Sequence, residues 1–428
     1  KMRKFKFDID DWTGGNTLSN TMGDEIGKTV KPVAFRLITQ PTNKFTCLVK
    51  NTLPSLRIDW GNGDTTYTSN LIFNKRNNNE IEYDYGNDDM KERLISVTIL
   101  DDDYKEIDNS LFIFTDNSTK IKEYIIEYGI NGEAWNFITF KYINSNDYKI
   151  KINISNNITV LNNNAINFDN LNCDTFIIPD TVTDIRNHAV SGIAVNKQVT
   201  IPKNCRLGTF AFALRSDPNK SIDLELPLNA NKPYRFSGTS GFNLIFPKNI
   251  TQPSEYAFTN IEFGKTFKFP SHIDIIKPKA FMGCTYQGDL IIPDTVKKIG
   301  HDAFSYSKVK GSLKLSNSLT EINEYTFIDS TMSGNLVIPD SVTAIKNSAF
   351  GRCKNLSGHL VLGNNIKYIG SLSFLSTSIE GSVTIPKSVE VLGDGAFAYC
   401  DYLHTVYVPK KFNDIQVTED DSVKVSYY

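Results

Sequence analysis

Residues 335–356 read NLVIPDSVTAIKNSAFGRCKNL, and the same string, lightly varied, returns along the C-terminal half of the chain. Aligned on the proline of its I-P pair, the copies fall at Pro179, Pro202, Pro227, Pro247, Pro270, Pro293, Ser316, Pro339, Gly363, Pro386 and Pro409. The mean interval is 23 residues. A period in this range is the signature of an array in which each unit buries its apolar face only against its neighbours.

The phase inside the unit predicts its backbone. Three residues and one residue before the anchor every copy is apolar, as in Leu290 and Ile292, Leu336 and Ile338, or Val406 and Val408. Four residues before it the row is polar, running through Asp289, Ser312, Asn335, His359 and Thr405. Strict alternation predicts a short strand with one buried face, and proline, which has no N–H for a ladder, closes it. Beyond the anchor, apolar residues recur at +3 and +6, and a small residue with a ring at +10 and +11: Ala257-Phe258, Ala280-Phe281, Ala303-Phe304, Ala349-Phe350 and Ala396-Phe397. Thr326-Phe327 and Ser373-Phe374 are variants of that pair. The spacing predicts that each ring stacks on the ring of the next coil.

The full pattern, I-P-x-S/T-V-x-x-I-x-x-x-A-F-x-x-C-x-x-L, resembles the BspA-like, Treponema-type leucine-rich repeat. The resemblance covers well over half the chain. It implies a solenoid of about eleven repeats over 156–410, with 411–428 as C-terminal cap or tail. The unit between Pro227 and Pro247 departs most, being three residues short and carrying Arg235-Phe236-Ser237 where Ala-Phe is expected, which marks it as a kink or a contact site.

Upstream the texture changes. Short alternating segments at 33–39, 45–49, 56–60, 81–85, 94–100 and 111–114 are separated by Asn, Gly and Asp clusters, which predicts a β-sandwich over 31–119. Within it, Asp59-Trp60-Gly61-Asn62-Gly63-Asp64 and Tyr83-Asp84-Tyr85-Gly86 are similar to the W-G-D-G and H-T-Y signatures of PKD-like, immunoglobulin-type modules. Residues 120–155 are expected to cap the first coil, and 1–30 to form an extended arm. The fold class is therefore mainly β.

Composition narrows the functional classes. With 46 Lys+Arg against 48 Asp+Glu, a net charge of −2 argues against nonspecific binding to nucleic acid or anionic membrane. No run approaches the roughly 18 apolar residues of a membrane span. Residues 1–11 are charged and alternating, with no apolar h-region after them. On this reading either a signal was removed before Lys1 or the protein reaches its place of work without one.

Catalytic and metal constellations are not apparent. Cys284, Cys353 and Cys400 share position +14 but lie two or three coils apart, roughly 10 to 14 Å at about 4.8 Å per coil, too far for a disulfide. They read as core thiols, and Cys205 at +3 likewise. His188, His272, His301, His359 and His404 occupy five different phases. No C-x-x-C, H-E-x-x-H or G-x-S-x-G occurs, so no enzyme, metal or cofactor is expected. Asp59, Asn62 and Asp64 offer calcium-type oxygen ligands, but an Asn-Gly hairpin turn explains the same residues.

What remains is a surface. The row two residues before the anchor should face solvent beside the polar row, placing Asp289, Ile291, Asn335, Val337, His359, Val361, Thr405 and Tyr407 on an exposed sheet face suited to a protein or glycan. β-Branched residues there would also simply favour strands. The family resemblance implies a surface recognition or adhesion protein, extracellular or at the cell surface, since members are mostly bacterial or protist surface proteins and some bind host matrix proteins. The alternative is a phage virion component, for receptor binding or decoration, docked to its particle through the N-terminal region.

Overall fold

At several steps of the array the alternating triplet before the anchor pairs in parallel with its counterpart one repeat later in the computed structural model, which describes residues 33–39, 44–49, 56–67, 79–85, 92–99, 112–114, 121–126, 133–134, 138–140 and 150–428. Leu290–Ile291 lies against Leu313–Lys314, and Leu336–Val337 against Leu360–Val361, each residue opposite its repeat equivalent. The result is a β-solenoid of about 12 turns. The arm expected over 1–30 lies outside the described residues.

Each coil contributes more than the one strand that alternation predicts. A second row of two-residue strands sits at +5 and +6, where Ile275–Ile276, Lys298–Ile299, Glu321–Ile322, Ala344–Ile345, Tyr368–Ile369 and Val391–Leu392 form a six-stranded parallel sheet. A third row, at +15 and +16, includes Glu262–Phe263, Thr285–Tyr286 and Lys308–Val309. In the early coils the third and first rows run together as single long strands, Ile166–Ile177 and Val190–Thr200. Between these rows the chain turns through left-handed residues at +9, including Lys279, Asp302, Tyr325, Ser348 and Leu372, with φ between 52° and 57°. The small residue at +10 follows that turn and is fully buried in Ala280, Ala303, Ala349 and Ala396.

The rings stack as the spacing predicts. Phe258, Phe281, Phe304, Phe327, Phe350, Phe374 and Phe397 form one continuous column, with centroids 5.1 to 5.7 Å apart and planes within 18° of parallel. The aberrant unit keeps its ring, since Phe236 stacks on Phe212 at 5.2 Å. What it loses is the second row: those strands stop at Arg206–Leu207 and resume at Ile275–Ile276, so the row splits into a four-stranded and a six-stranded sheet.

The six upstream segments, with a further strand at Thr65–Tyr67, form two sheets. Val33–Thr39, Leu56–Asp59, Thr65–Tyr67 and Leu94–Ile99 share one, whereas Lys44–Val49, Asn79–Asp84 and Phe112–Phe114 share the other with Ile138–Phe140. The two meet where Trp60 stacks on Tyr83 at 4.7 Å. The segment expected to cap the first coil also joins it to the upstream sheets. Its strand Ile121–Ile126 pairs antiparallel with Val33–Thr39 on one side and parallel with Lys151–Ile154 on the other. The first upstream sheet thus continues into the solenoid as one 14-stranded sheet. At the far end, Lys424–Tyr427 adds in parallel to Leu403–Val408 and closes the last coil.

Candidate functional site

Because buried and exposed residues alternate along the first row, burying Leu290, Leu336 and Leu360 turns their successors outward. Ile291, Val337, Val361 and Tyr407 are 51%, 56%, 54% and 41% exposed. Val337 and Val361 are direct cross-strand neighbours, and Tyr407 sits beside Thr384. These are apolar side chains on an open sheet face, in one row with exposed Lys314 between Ile291 and Val337 and exposed Thr384 between Val361 and Tyr407.

The polar row beside it has a second occupation that the sequence pattern does not disclose. The Asp289 carboxylate accepts hydrogen bonds from the backbone N–H and the hydroxyl of Ser312, one coil on, at 2.7 and 2.9 Å. Those bonds hold its pKa below the ordinary value. Asn335 Oδ1 accepts from the His359 N–H at 2.9 Å, and the His359 ring lies 3.3 Å from the Glu380 carbonyl through Nδ1. Thr405 is half-buried, paired with Ser382 and Lys424. Asp289 and Asn335 therefore bracket adjacent coils, leaving Ile291, Val337, Val361, Tyr407 and the edge of His359 as the accessible part of the face. The same bracket recurs where Asp294 accepts from Asn317 N–H at 2.8 Å and Asp340 from Asn364 N–H at 2.7 Å. The signal for it in the sequence is an Asp or Asn repeated at one phase with no charge partner.

Two further surface features were not legible in the sequence. An open groove of about 800 Å³ crosses the early coils, lined by Asp180, Gln198, Lys203 and Glu225 together with Val182, Val199 and Ile201, among others. At the +9 turn, His188, Phe210, Tyr234 and Tyr256 stack in a ladder with centroids 5.0 to 5.4 Å apart. Lys279 closes it, donating to the Tyr256 hydroxyl at 3.0 Å. Phe210 and Tyr234 each give both ring faces to neighbours, so the ladder stiffens the turn rather than presenting a platform for a sugar.

The other candidates resolve locally. Asp59 accepts from the Gly61 N–H at 2.9 Å, while Asp64 accepts from the Asn62 side chain at 3.1 Å and from the Tyr83 hydroxyl. Leu56–Asp59 and Thr65–Tyr67 pair antiparallel around this turn, which is the hairpin reading. Gly61 has φ of +79°, and a Cβ there would lie 2.5 Å from the Leu94 carbonyl oxygen, so the turn requires glycine. Tyr85 donates to the Trp60 carbonyl at 2.9 Å, tying the second motif to the first. Cys173, Cys205, Cys284, Cys353 and Cys400 are free and buried. Among the described residues no three His, Cys, Asp or Glu side chains group in a way that could hold a metal ion. No helix among them is long and apolar enough to cross a membrane.

The family model for the BspA type leucine rich repeat region matches in six copies, over 90–216, 136–262, 208–333 and 320–418. No curated protein sequence matches. Among solved structures, the chain is similar to the pneumococcal vaccine antigen PcpA, at 13% identity over 76% of this chain and 85% of that one, with a TM-score of 0.37. A leucine-rich repeat protein from Bacteroides ovatus aligns at 18% identity over 74% and 92%, with a TM-score of 0.42. A leucine rich cell surface protein from Faecalibacterium prausnitzii aligns at 16% identity over 60% and 88%, with a TM-score of 0.24.

Proposed function

The chain belongs to the BspA-type leucine-rich repeat family, and from that premise we propose that it is a non-enzymatic recognition or adhesion protein working at a surface or outside the cell. One observation carries this reading: Ile291, Val337, Val361 and Tyr407, in one row with Lys314 and Thr384, stand at 41% to 56% exposure on a sheet face beside Asp289 and Asn335, which already accept hydrogen bonds from the next coil. Such a face gains by burying apolar area against a partner, at about 25 cal/mol per Å². A solenoid offers it as a long shallow strip, which suits a protein or a glycan rather than a small molecule in a pocket.

The upstream sheets are read as a PKD-like, immunoglobulin-type module over 31–119 that mounts the solenoid on a larger surface. The W-G-N-G-D turn locked by Tyr83 and Tyr85 supports that assignment. Residues 120–155 act as the N-cap, 156–410 as the repeats and 411–428 as the C-terminal cap.

The test starts from a ligand recovered by screening the immobilised chain against extracellular-matrix proteins and a glycan array. The double variant Val337→Glu/His359→Glu should lose that ligand while melting as the parent does. Retained affinity with unchanged melting rejects this face as the binding site.

A further inference from the structure

The turn side of the late coils carries a row that no ladder closes. At position +13, Tyr306, Asp329, Arg352, Ser376 and Tyr399 follow one another over five consecutive coils. All five are left-handed, with φ between 51° and 59°. Backbone bonds run the row along the solenoid axis: the N–H of Tyr306 donates to the Ile328 carbonyl, Asp329 to Gly351, Arg352 to Leu375 and Ser376 to Ala398, each acceptor at +12 of the next coil, over 2.6 to 2.9 Å. Four steps at about 4.8 Å each put the two tyrosines roughly 19 Å apart. They stand 55% and 54% exposed. In the early coils the turn rings from His188 to Tyr256 cover one another's faces. Tyr306 and Tyr399 have three non-aromatic residues between them, and neither has a ring or a cation stacked on it among the described residues.

The charges between the rings are paired with each other. Arg352 reaches back one coil and donates to both Asp329 carboxylate oxygens, through Nε at 2.9 Å and through a second guanidinium nitrogen. Tyr306 lies close enough to act on the same guanidinium. From +9 to +15 of these five coils the charged residues are Asp302, Asp329 and Asp401 against Lys308, Arg352 and Lys354, which balance. At the far end Glu419 accepts from the Tyr399 hydroxyl, and Asp420 lies near Cys400. The row therefore has exposed rings, hydrogen-bonding groups and no excess of positive charge.

We propose that this row binds a linear, uncharged oligosaccharide laid along the solenoid axis, with one sugar stacked on Tyr306 and another on Tyr399. The C–H face of a pyranose packs against the negative face of an aromatic ring. Between the rings Arg352 offers N–H donors, Asp329 carboxylate acceptors and Ser376 a hydroxyl, which complement sugar hydroxyls. A span of roughly 19 Å exceeds a single sugar, so the ligand is a chain. A phosphate or sulfate polymer is the poorer occupant, because the guanidinium is already forked onto Asp329 and the face has no net positive charge. A peptide strand needs a free sheet edge, whereas the N–H groups from Tyr306 to Ser376 are bonded to the next coil. A protein partner needs a contiguous apolar centre, which Asp329, Arg352 and Ser376 interrupt.

The row belongs to the turns and shares no residue with the apolar strip of the first strand row, so it stands independently of the adhesion face. The full chain is titrated calorimetrically with extended β-1,4-linked hexasaccharides of glucose, mannose and xylose. At least one should bind, with the same affinity at low and at physiological salt. Tyr306→Ala and Tyr306→Ala/Tyr399→Ala should each lose at least tenfold in affinity. Tyr306→Phe should retain it, since the ring is the platform, and so should Val337→Glu/His359→Glu. Binding by none of the three sugars, affinity that falls steeply with salt, tighter binding of a heparin hexasaccharide, or an equal loss in Val337→Glu/His359→Glu would each overturn the proposal. Unchanged melting of the alanine variants separates loss of the site from loss of the fold.

Discussion

Position +14 of the repeat accepts Cys or Ser because one carbonyl waits there. Cys284, Cys353 and Cys400 donate through sulfur to the carbonyls of Phe258, Phe327 and Phe374, at 2.9, 3.0 and 3.2 Å. Ser330 makes the same bond to Phe304 at 2.8 Å. Each links one coil to the stacked ring of the coil before. The cysteines read from the sequence as small hydrophobes are also donors, a role that no one-dimensional pattern separates from packing. Cys353→Ser should therefore change stability by less than about 1 kcal/mol in urea denaturation, whereas Cys353→Ala should cost about 1 to 2 kcal/mol for the lost bond and contacts. Burial also pushes the thiols of Cys173, Cys205, Cys284 and Cys353 from 9.0 up to about 12, and raises that of Cys400. Below about pH 9 native and unfolded chains both hold these protons. Between about pH 9 and 12 only the unfolded chain releases them, so stability should fall across that window. Circular dichroism against pH should show it, and Cys353→Ser should move the midpoint upward; an unmoved midpoint would assign the alkaline transition to other groups.

At the scale of elements, the first strand row and the ring column were legible, whereas the second row was not. The first row alternates over several residues, and the ring at +11 recurs in nearly every unit. The second row is two residues wide and buries one side chain, as in Glu321–Ile322, so it has no period of its own. Pairing with the next coil makes it a strand. The Phe column concentrates the packing of the array: Phe304 and Phe350 are fully buried with a ring on each face. Phe304→Ala or Phe350→Ala should each cost about 3 to 5 kcal/mol. A melting curve unmoved by either would refute stacking as the source of stability.

Across the whole molecule, the joint between the upstream sheets and the solenoid matters most. Both sides of Ile121–Ile126 are occupied, so the array begins without the open strand edge that invites aggregation. Ile125 stands opposite Arg36 on one side and Asn153 on the other. Ile125→Pro should remove a ladder bond there, cost about 2 kcal/mol or more, and speed hydrogen exchange at Lys151–Ile154 while leaving coils near Phe350 protected. Uniform acceleration would mean the array opens as one unit. By itself the sequence determined the coil, its register and its inward rings, because every repeat makes the same local choice and its partner lies one period away. Only the tertiary structure decided how the N-terminal sheet merges with the array and which polar groups are spent between coils. Those depend on pairing between segments that have no common period, and on directions that a side chain acquires only when its strand is laid against another.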